Sequence, residues 1–441
     1  MSLNKMNLLG VAYKLLRDYE ASGKYVNLSL SSHIVDSLTD EERARVTLLL
    51  YTTVERKLTY DYYIAALAKR PVDKLSDGVR DALRLGLCQL LNIDNIPDFA
   101  AVNESVKLLR LPHEKRFVNA VLREAARTKD SLPMPDRKKN PARYLSVRYS
   151  YPLWMVKRFI SLYGEEGAEA LMTAMNEKKP LTLSVNTTKI SRDDFIARLK
   201  ECGVCANATA HSKVGVRLDS GVPPRKLFGY NEGLFFVQDE ASQIAVTALD
   251  PRQGDVVIDV CAAPGGKSFL AAILSGDGAT VYSHDIHESK MSLIEGGAVR
   301  LGLKSIRASV RDAEMPDEHM LGKADKVICD APCSGLGVIS KKPDLRYKNE
   351  ESISSLPELQ LSILESSAGY LSPGGVLLYS TCTLLPEENG GVVDRFLERH
   401  PDFESVDFCV GGLRSEHGAL ELLPHKDFTD GFFIAKLRKV K

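Results

Sequence analysis

Two cysteines in the C-terminal half of the chain have sequence surroundings suited to covalent chemistry. Cys333 lies in KVICDAPCSGLG, where an apolar run over 327–329 ends in a polar segment, and Cys382 lies in LLYSTCTLLPEEN, after a second apolar run. Because parallel α/β sheets place reactive groups at the carboxyl ends of their strands, both thiols are expected at such an edge. A free cysteine is also a common core residue, so burial is the alternative for either one taken alone.

A pair of adjacent glycines follows an earlier strand pattern. The segment DVCAAPGGKSFLAAIL passes from an apolar run through Gly265 and Gly266 into a helical pattern. It matches neither G-x-G-x-x-G nor the phosphate-binding G-x-x-x-x-G-K-[ST]. Asp285, nineteen residues after Gly266, ends the second strand pattern, and Asp312 ends the third. Carboxylates at these places can accept hydrogen bonds from ribose hydroxyls and an adenine amino group, so the series predicts a nucleoside ligand such as S-adenosylmethionine.

The elements that position these motifs predict three domains. Residues 1–140 carry amphipathic helical patterns, with a capping box at Thr39–Glu42, and predict an all-helical domain. Residues 145–232 mix helix and strand patterns and predict a small α+β domain. In residues 233–441, short β-rich runs alternate with helical stretches. We therefore expect an α/β protein whose last domain is a Rossmann-like, doubly wound and mostly parallel sheet.

The composition of the 441 residues, 44% hydrophobic and 26% charged, is typical of a soluble globular chain. No apolar run approaches the ~20 residues that span a bilayer, and the start, MSLNKMNLLG, lacks the features of a signal peptide. The 8 cysteines are scattered and do not suggest a disulfide framework. These observations predict a cytoplasmic protein with no membrane partner.

The charge is unevenly distributed although the net charge is zero. Residues 1–150 hold 25 Lys and Arg against 18 Asp and Glu, and the remainder holds 33 against 40. Positive charge is concentrated between 107 and 127, where Lys115, Arg116 and Arg123 lie on predicted helices. A basic arm on an acidic body favours a polyanionic partner, and a solvated helical surface is the alternative.

The motifs together resemble a known family. DVCAAPGGK, DAPCSGLGVISKKPD and YSTCTLLPEEN resemble the motifs of S-adenosylmethionine-dependent RNA 5-methylcytosine methyltransferases, and VQDEASQ resembles the lead-in to their catalytic domain. The helical part, with AAVNESVKLLR and RFVNAVLRE, is similar to antitermination-factor-type RNA-binding domains. The chain as a whole resembles the bacterial Sun/Fmu family of ribosomal RNA methyltransferases.

This resemblance implies a Rossmann-like methyltransferase domain and methyl transfer to carbon 5 of a specific cytosine of 16S ribosomal RNA, free or in an assembling small subunit. It implies that Cys382 is the nucleophile, that Cys333 assists product release and that Asp330 holds the cytosine. From the residues alone, which cysteine attacks stays open. The predicted cofactor-binding residues are Cys261, Ala262, Ala263, Pro264, Gly265, Gly266, Lys267, Asp285, Asp312 and Asp330.

The predicted RNA-binding residues are Lys115, Arg116, Arg123, Lys341, Lys342 and Arg346. The last three follow the Cys333 motif, where phosphate contacts are favoured over solvated charge. Lys267 is expected to add positive charge beside the methionine carboxylate or the RNA.

Other cysteines and histidines give no sign of a metal site. Cys202 and Cys205 form a lone C-x-x-C, interpreted as a structural pair, and His284 and His287 flank Asp285 without a third ligand. Cys88 and Cys329 are expected in cores. No metal and no obligate protein partner are therefore predicted.

Several other functions are compatible with parts of the pattern. A nicotinamide-dependent oxidoreductase could use the same sheet, but G-x-G-x-x-G is missing. A catalytically idle RNA-binding assembly factor is a second alternative, although both cysteines, Asp330 and the Gly-Gly-Lys turn are present. A transfer RNA cytosine-5 methyltransferase is a third. A DNA cytosine-5 methyltransferase would use Cys333, in the Pro-Cys motif, as its nucleophile.

Overall fold

Amphipathic periodicity makes the N-terminal part of the chain helical, as predicted. The computed structural model describes residues 7–23, 25–30, 33–219 and 221–440. Its helices before the first strand are α1 (Leu8–Ser22), α2 (Val26–Ser29), α3 (His33–Asp36), α4 (Asp40–Glu55), α5 (Lys57–Ala68), α6 (Asp77–Asn92), α7 (Asp98–Lys107), α8 (Pro112–Arg127), α9 (Pro141–Tyr149) and α10 (Leu153–Asn176). None of the described helices is long and apolar enough to cross a membrane.

Local signals and core packing explain these helices. The predicted capping box at the start of α4 is present: the Thr39 hydroxyl accepts from the Glu42 N–H, and the Glu42 carboxylate accepts from the Thr39 N–H. Helix α6 lies in the core, where Leu83, Leu87 and Cys88 are fully buried. The prediction that Cys88 is a core residue is therefore confirmed.

Contacts divide the chain into two units that do not follow the sequence order. The first unit comprises Met1–Asn176 and Ile339–Lys348, and the second comprises Glu177–Val338 and Asn349–Lys441. The ten residues 339–348 follow the Cys333 motif in sequence, yet they pack in the helical unit. The sequence gives no signal for this insertion.

Arg346 anchors the inserted segment inside the first unit. Its side chain is 1% exposed and its guanidinium lies over the Tyr151 ring, 4.4 Å from the centroid. Its N–H groups donate to the carbonyls of Pro343, Glu55, Tyr149 and Ser150 and to the side chain of Asn176. The prediction that Arg346 contacts RNA phosphates is therefore wrong, because the group is buried and its donors are used. Lys341 and Lys342 are exposed.

The second unit begins with a small antiparallel sheet and one helix. Its elements are β1 (Leu181–Val185), α11 (Arg192–Glu201), β2 (Ala206–Ala208), β3 (Gly215–Leu218) and β4 (Phe235–Val237), and the strand order is β2-β3-β1-β4. Phe195 of α11 packs against Phe235 with ring centroids 5.3 Å apart. Strand β4, which the sequence pattern assigned to the last domain, thus belongs to this sheet.

The rest of the second unit is built on a larger sheet, as the alternation of strand and helix patterns predicted. Its elements are α12 (Glu240–Leu249), β5 (Val256–Asp259), α13 (Gly266–Leu274), β6 (Thr280–Asp285), α14 (Met291–Leu301), β7 (Ile306–Val310), β8 (Ala324–Asp330), α15 (Leu356–Gly369), β9 (Leu371–Thr381), α16 (Gly390–Arg399), β10 (Phe403–Ser405), β11 (Cys409–Val410), β12 (Leu413–Arg414), β13 (Ala419–Leu422) and β14 (Phe432–Lys439). Residues 311–323, all described, contain only a three-residue helical turn where a full helix was expected.

The order of the strands determines where a ligand can bind. Along the sheet the order is β10-β14-β9-β8-β5-β6-β7, and the pairs from β9 to β7 are parallel. The final strand β14 runs antiparallel to β9. The connection reverses direction beside β5, so the carboxyl ends of β5 and β8 flank a topological switch point, which is where open α/β sheets bind ligands.

Replacing Arg346 tests its structural role. We expect Arg346→Met to destabilise the helical unit by about 2–4 kcal/mol, because several buried carbonyl oxygens lose their donor. Urea unfolding followed by helical circular dichroism measures this loss. Lys342→Met, an exposed change in the same segment, should shift stability by no more than about 0.5 kcal/mol. Equal stability of the two variants would contradict the buried-anchor role.

Candidate active site

The two cysteines singled out in the sequence lie together. Cys333 follows β8, Cys382 directly follows β9, and their Sγ atoms are 3.2 Å apart. The Cys382 N–H also donates to the Cys333 Sγ over 3.3 Å. This proximity follows from the parallel pairing of the two strands, in which Asp330 lies opposite Ser380. Both cysteines are only partly buried, unlike the fully buried Cys329.

Backbone contacts fix the loops that carry the thiols. The Gly337 N–H donates to the Cys382 carbonyl, and the Gly431 N–H donates to the Gly337 carbonyl, each over 2.9 Å. A Cβ at Gly337 would lie 2.0 Å from the Gly431 carbonyl oxygen, so no other residue fits without movement of the backbone. The segment before β14 therefore holds the Cys333 loop against the Cys382 loop.

Asp330 is held by two side chains at the end of β8. Its Oδ2 accepts from Lys267 Nζ over 2.6 Å, and its Oδ1 accepts from the Ser380 hydroxyl over 2.7 Å. The Lys267 ammonium also lies 5.2 Å from the centre of the Phe432 ring. The sequence predicted a charge role for Lys267 but not this ion pair, which joins the glycine loop to the cysteine site.

The glycine loop wraps around the end of β6. Gly265 has φ of 108°, and a Cβ there would meet the Phe269 ring at 2.3 Å. The Ala263 N–H donates to Asp285 Oδ2 over 3.2 Å, and the His287 N–H donates to Asp285 Oδ1 over 3.0 Å. Asp285 is thus oriented at the loop, as its position in the sequence suggested. Asp312 follows the neighbouring strand β7, two residues beyond its end.

A buried carboxyl group that the sequence analysis did not single out contacts the start of the helix that follows the glycine loop. Asp259 ends β5 and accepts a 2.7 Å hydrogen bond from the Ser268 hydroxyl, which in turn contacts the Ser283 hydroxyl. Burial raises the pKa of Asp259 to about 7. Burial also raises the pKa of Cys261 well above its ordinary value, so this loop cysteine is a neutral thiol without nucleophilic character.

Other cysteines and histidines that the sequence analysis named lie in different environments. Cys329 is fully buried, which confirms that it is a core residue, and burial raises its pKa to about 12. Cys202 and Cys205 are exposed. Burial lowers the pKa of His284 to about 4, so it is neutral at physiological pH. Within the described residues, no group of three or more His, Cys, Asp and Glu is placed to hold a metal ion.

The predicted basic residues of the helical unit lie on α8. Arg116 and Arg123 are exposed and Lys115 is half-buried. The Arg123 Nε donates to the Asn119 side chain over 3.0 Å, which leaves the guanidinium at the surface. These cations are therefore accessible to a polyanion, unlike Arg346.

The residues at the switch point fit S-adenosylmethionine. Asp285 ends β6 and Asp312 follows the adjacent strand β7, where their carboxylates can accept from hydroxyl and amino groups, and the glycine turn between β5 and α13 lies against Asp285. The paired thiols and the Lys267–Asp330 ion pair complete a site suited to group transfer. The fold and the site define a Rossmann-like, S-adenosylmethionine-dependent methyltransferase.

Relatives narrow this class. The chain is 36% identical to a probable ribosomal RNA small subunit methyltransferase B of Bacillus subtilis over 99% of its length and 100% of the relative. It is 32% identical to ribosomal RNA small subunit methyltransferase B of Escherichia coli over 98% of this chain and 99% of that one. This protein belongs to the ribosomal RNA small subunit methyltransferase B family.

Family models and a solved structure agree with this assignment. Residues 246–438 match the model described as 16S rRNA methyltransferase RsmB/F, residues 6–127 match the NusB family, and residues 151–224 match an RsmF/B-like ferredoxin-like domain. The crystal structure of PH0851 has a TM-score of 0.81 to this chain and 27% identity, and the likeness covers 99% of both chains. The resemblance noted in the sequence is confirmed.

Asp285 provides a direct test of the cofactor site. We expect Asp285→Asn to weaken S-adenosylmethionine binding by about 1–1.5 kcal/mol, roughly five- to tenfold, because a charge-assisted hydrogen bond becomes a neutral one. Titration calorimetry measures the affinity. Glu288→Gln, which removes an exposed carboxylate three residues away, should bind as the wild type does. Unchanged affinity in Asp285→Asn would remove this residue from the site.

Proposed function

We propose that this protein transfers a methyl group to carbon 5 of one specific cytosine in 16S ribosomal RNA through a covalent cysteine intermediate. The observation that carries the proposal is the pair of thiols, 3.2 Å apart, beside Asp330 and Lys267. A nicotinamide-dependent hydride-transfer enzyme is disfavoured because the G-x-G-x-x-G loop is missing. The names of the relatives support ribosomal RNA as the substrate class.

Carbon 5 of cytosine is a poor nucleophile, and addition of a thiolate to the ring makes it more nucleophilic. When the Cys382 sulfur adds to carbon 6, the ring becomes an enamine whose carbon 5 can attack an electrophilic methyl group. S-adenosylmethionine, when bound, supplies that methyl group. Asp330 holds the cytosine ring, and its carboxylate forms an ion pair with the Lys267 ammonium. A hydrogen bond donated to ring N3 would neutralise the charge that develops there.

Release of the product requires a second group. The carbon 5 proton must leave and the bond between carbon 6 and Cys382 must break. Cys333 lies within 3.2 Å of the Cys382 sulfur, and the hydrogen bond with Cys382, followed by burial, holds the pKa of Cys333 well above its ordinary value. A protonated Cys333 thiol can donate its proton to the departing Cys382 sulfur while the carbon 5 proton passes to water, and the same protonation makes Cys333 poorly suited to attack.

The domain arrangement supports an RNA substrate. We propose residues 1–140 as an antitermination-factor-like RNA-binding domain, 145–232 as a small α+β domain and 233–441 as the catalytic domain. Lys115, Arg116 and Arg123 would contact RNA phosphates, with Lys341 and Lys342 as further contacts. The substrate is free 16S ribosomal RNA or an assembling small subunit.

The two cysteines should fail differently when replaced. Cys382→Ala removes the nucleophile, so we expect neither methyl transfer nor a covalent RNA–protein species. Cys333→Ala leaves attack possible and slows release, so a denaturant-resistant adduct should accumulate. The measurement is a denaturing gel after incubation with cofactor and unmethylated small-subunit RNA, and bisulfite mapping locates the modified base.

Three outcomes of this gel would overturn the assignment. An adduct in Cys382→Ala but not in Cys333→Ala would reverse the roles, as in the DNA enzymes. Normal methylation by both variants would remove the thiols from the mechanism. Tight RNA binding by the wild type without any methylation would favour an idle assembly factor.

Charge removal on α8 tests the RNA-binding face. We expect the double change Arg116→Ala, Arg123→Ala to weaken RNA binding and to reduce the slope of log affinity against log salt by about 0.7 for each lost phosphate contact. Filter binding at several salt concentrations measures both quantities. Lys69→Ala, an exposed lysine of the same unit, is the matched control. If the double variant keeps wild-type affinity and slope, α8 does not contact the RNA.

A further inference from the structure

A carboxylate is buried beneath the two cysteine loops. Glu388 is 1% exposed and lies six residues after Cys382. Its Oε2 accepts from the Ser334 N–H over 2.8 Å and from Gln360 Nε2 over 2.9 Å, and its Oε1 accepts from the Thr383 hydroxyl over 3.4 Å. Ser334 directly follows Cys333, and Thr383 directly follows Cys382. One carboxylate therefore receives hydrogen bonds from both cysteine loops.

A second contact locks the same two loops together. The Ser334 and Thr383 hydroxyls are 2.6 Å apart and both residues are fully buried. Gln360, besides binding Glu388, donates to the Pro332 carbonyl over 3.0 Å. Because the residues on either side of Cys333 are held, the distance between the sulfurs depends on this buried polar cluster of Ser334, Gln360, Thr383 and Glu388.

The charge of Glu388 acts on the Cys333 thiol. The pKa of Cys333 is raised, in decreasing order, by its hydrogen bond with Cys382, by burial, by the charge of Cys382 and by the charge of the Glu388 carboxylate, whereas the Cys382 N–H lowers it. Tyr379 is a further titratable group in this region, as is Asp330, and it donates its hydroxyl to the Glu388 carbonyl over 2.6 Å. Burial raises the pKa of Tyr379 well above its ordinary value, so this phenol stays neutral.

We propose that Glu388 is a positioning residue that fixes the spacing of the two sulfurs and keeps the proton on Cys333, so that Cys382 is the cysteine that ionises. This inference rests on the proposed function for its biological meaning. On ionisation, the Cys382 proton leaves to solvent and the electron pair stays on its sulfur, which then forms the bond to carbon 6. Glu388 touches neither substrate nor cofactor and acts only through the cysteines.

Thiol alkylation of the full chain, without RNA or cofactor, tests the proposal. Iodoacetamide reacts with the thiolate, forming a sulfur–carbon bond and releasing iodide, and peptide mass spectrometry reports each site separately. Between about pH 6 and about pH 10, Cys382 should be modified before Cys333. The exposed Cys202, Cys205 and Cys409 serve as internal references.

Removing the charge should change this order. In Glu388→Gln the pKa of Cys333 should fall because one of the charges that raises it is gone, so its alkylation near pH 8 should rise several-fold relative to that of Cys382, and its pH profile should move to lower pH. Glu388→Asp keeps the charge and should keep the preference for Cys382. Glu387→Gln, which removes an exposed carboxylate next in sequence, should leave both profiles unchanged.

If Glu388 contributed only to packing, a different result would be expected. It requires Glu388→Gln, Glu388→Asp and Thr383→Val to alter both cysteines in parallel, with no selective shift in the Cys333 profile, and that result would overturn the proposal. Faster alkylation of Cys333 than of Cys382 in the wild-type protein would also overturn the proposal. This measurement does not depend on the folding of any variant. Because alkylation requires no methyl transfer, this test and the test of the proposed function can fail independently.

Discussion

The parallel pairing of β8 with β9 is the constraint on which the site depends. Each strand ends in a loop that carries one thiol, and their register places Asp330 opposite Ser380, so the two loops leave the sheet side by side. The pairing joins segments about fifty residues apart. A slip of one residue would turn each side chain at the end of the strand to the opposite face of the sheet and separate the sulfurs.

Buried polar contacts turn this coarse placement into a defined geometry. Lys267 ties the glycine loop to Asp330, and Glu388 ties the two cysteine loops to each other. In a site of low dielectric constant such contacts are strong when every partner is present and costly when one is missing. The same environment controls protonation. Burial raises the pKa values of Asp259 and Cys261, whereas the largest cause of the raised pKa of Cys333 is its hydrogen bond with Cys382.

The sequence predicted what depends on local patterns. Strand ends, the glycine turn and the acidic residues after β6 and β7 could be located because each signal is contained in a few adjacent residues. Contacts between distant residues could not be predicted in this way. Lys267 and Asp330 are 63 residues apart, Ser334 and Glu388 are 54 apart, and Arg346 and Glu55 are 291 apart. The sequence alone does not distinguish a solvent-exposed lysine or arginine from a buried one. The placement of β4 could not be predicted for the same reason, because only strand pairing assigns it to the small sheet.

The insertion of residues 339–348 into the helical unit affects how the chain can be made. Arg346 meets Asn176, the last residue of the preceding helical stretch, across 170 residues of sequence. At typical translation speeds the ribosome needs on the order of ten seconds or more to synthesise the intervening segment. During that time the nascent helical unit lacks the guanidinium that satisfies its inner carbonyls. The N-terminal unit is therefore completed only after half of the strands of the large sheet have been synthesised, and no single cut in the polypeptide separates the two units intact.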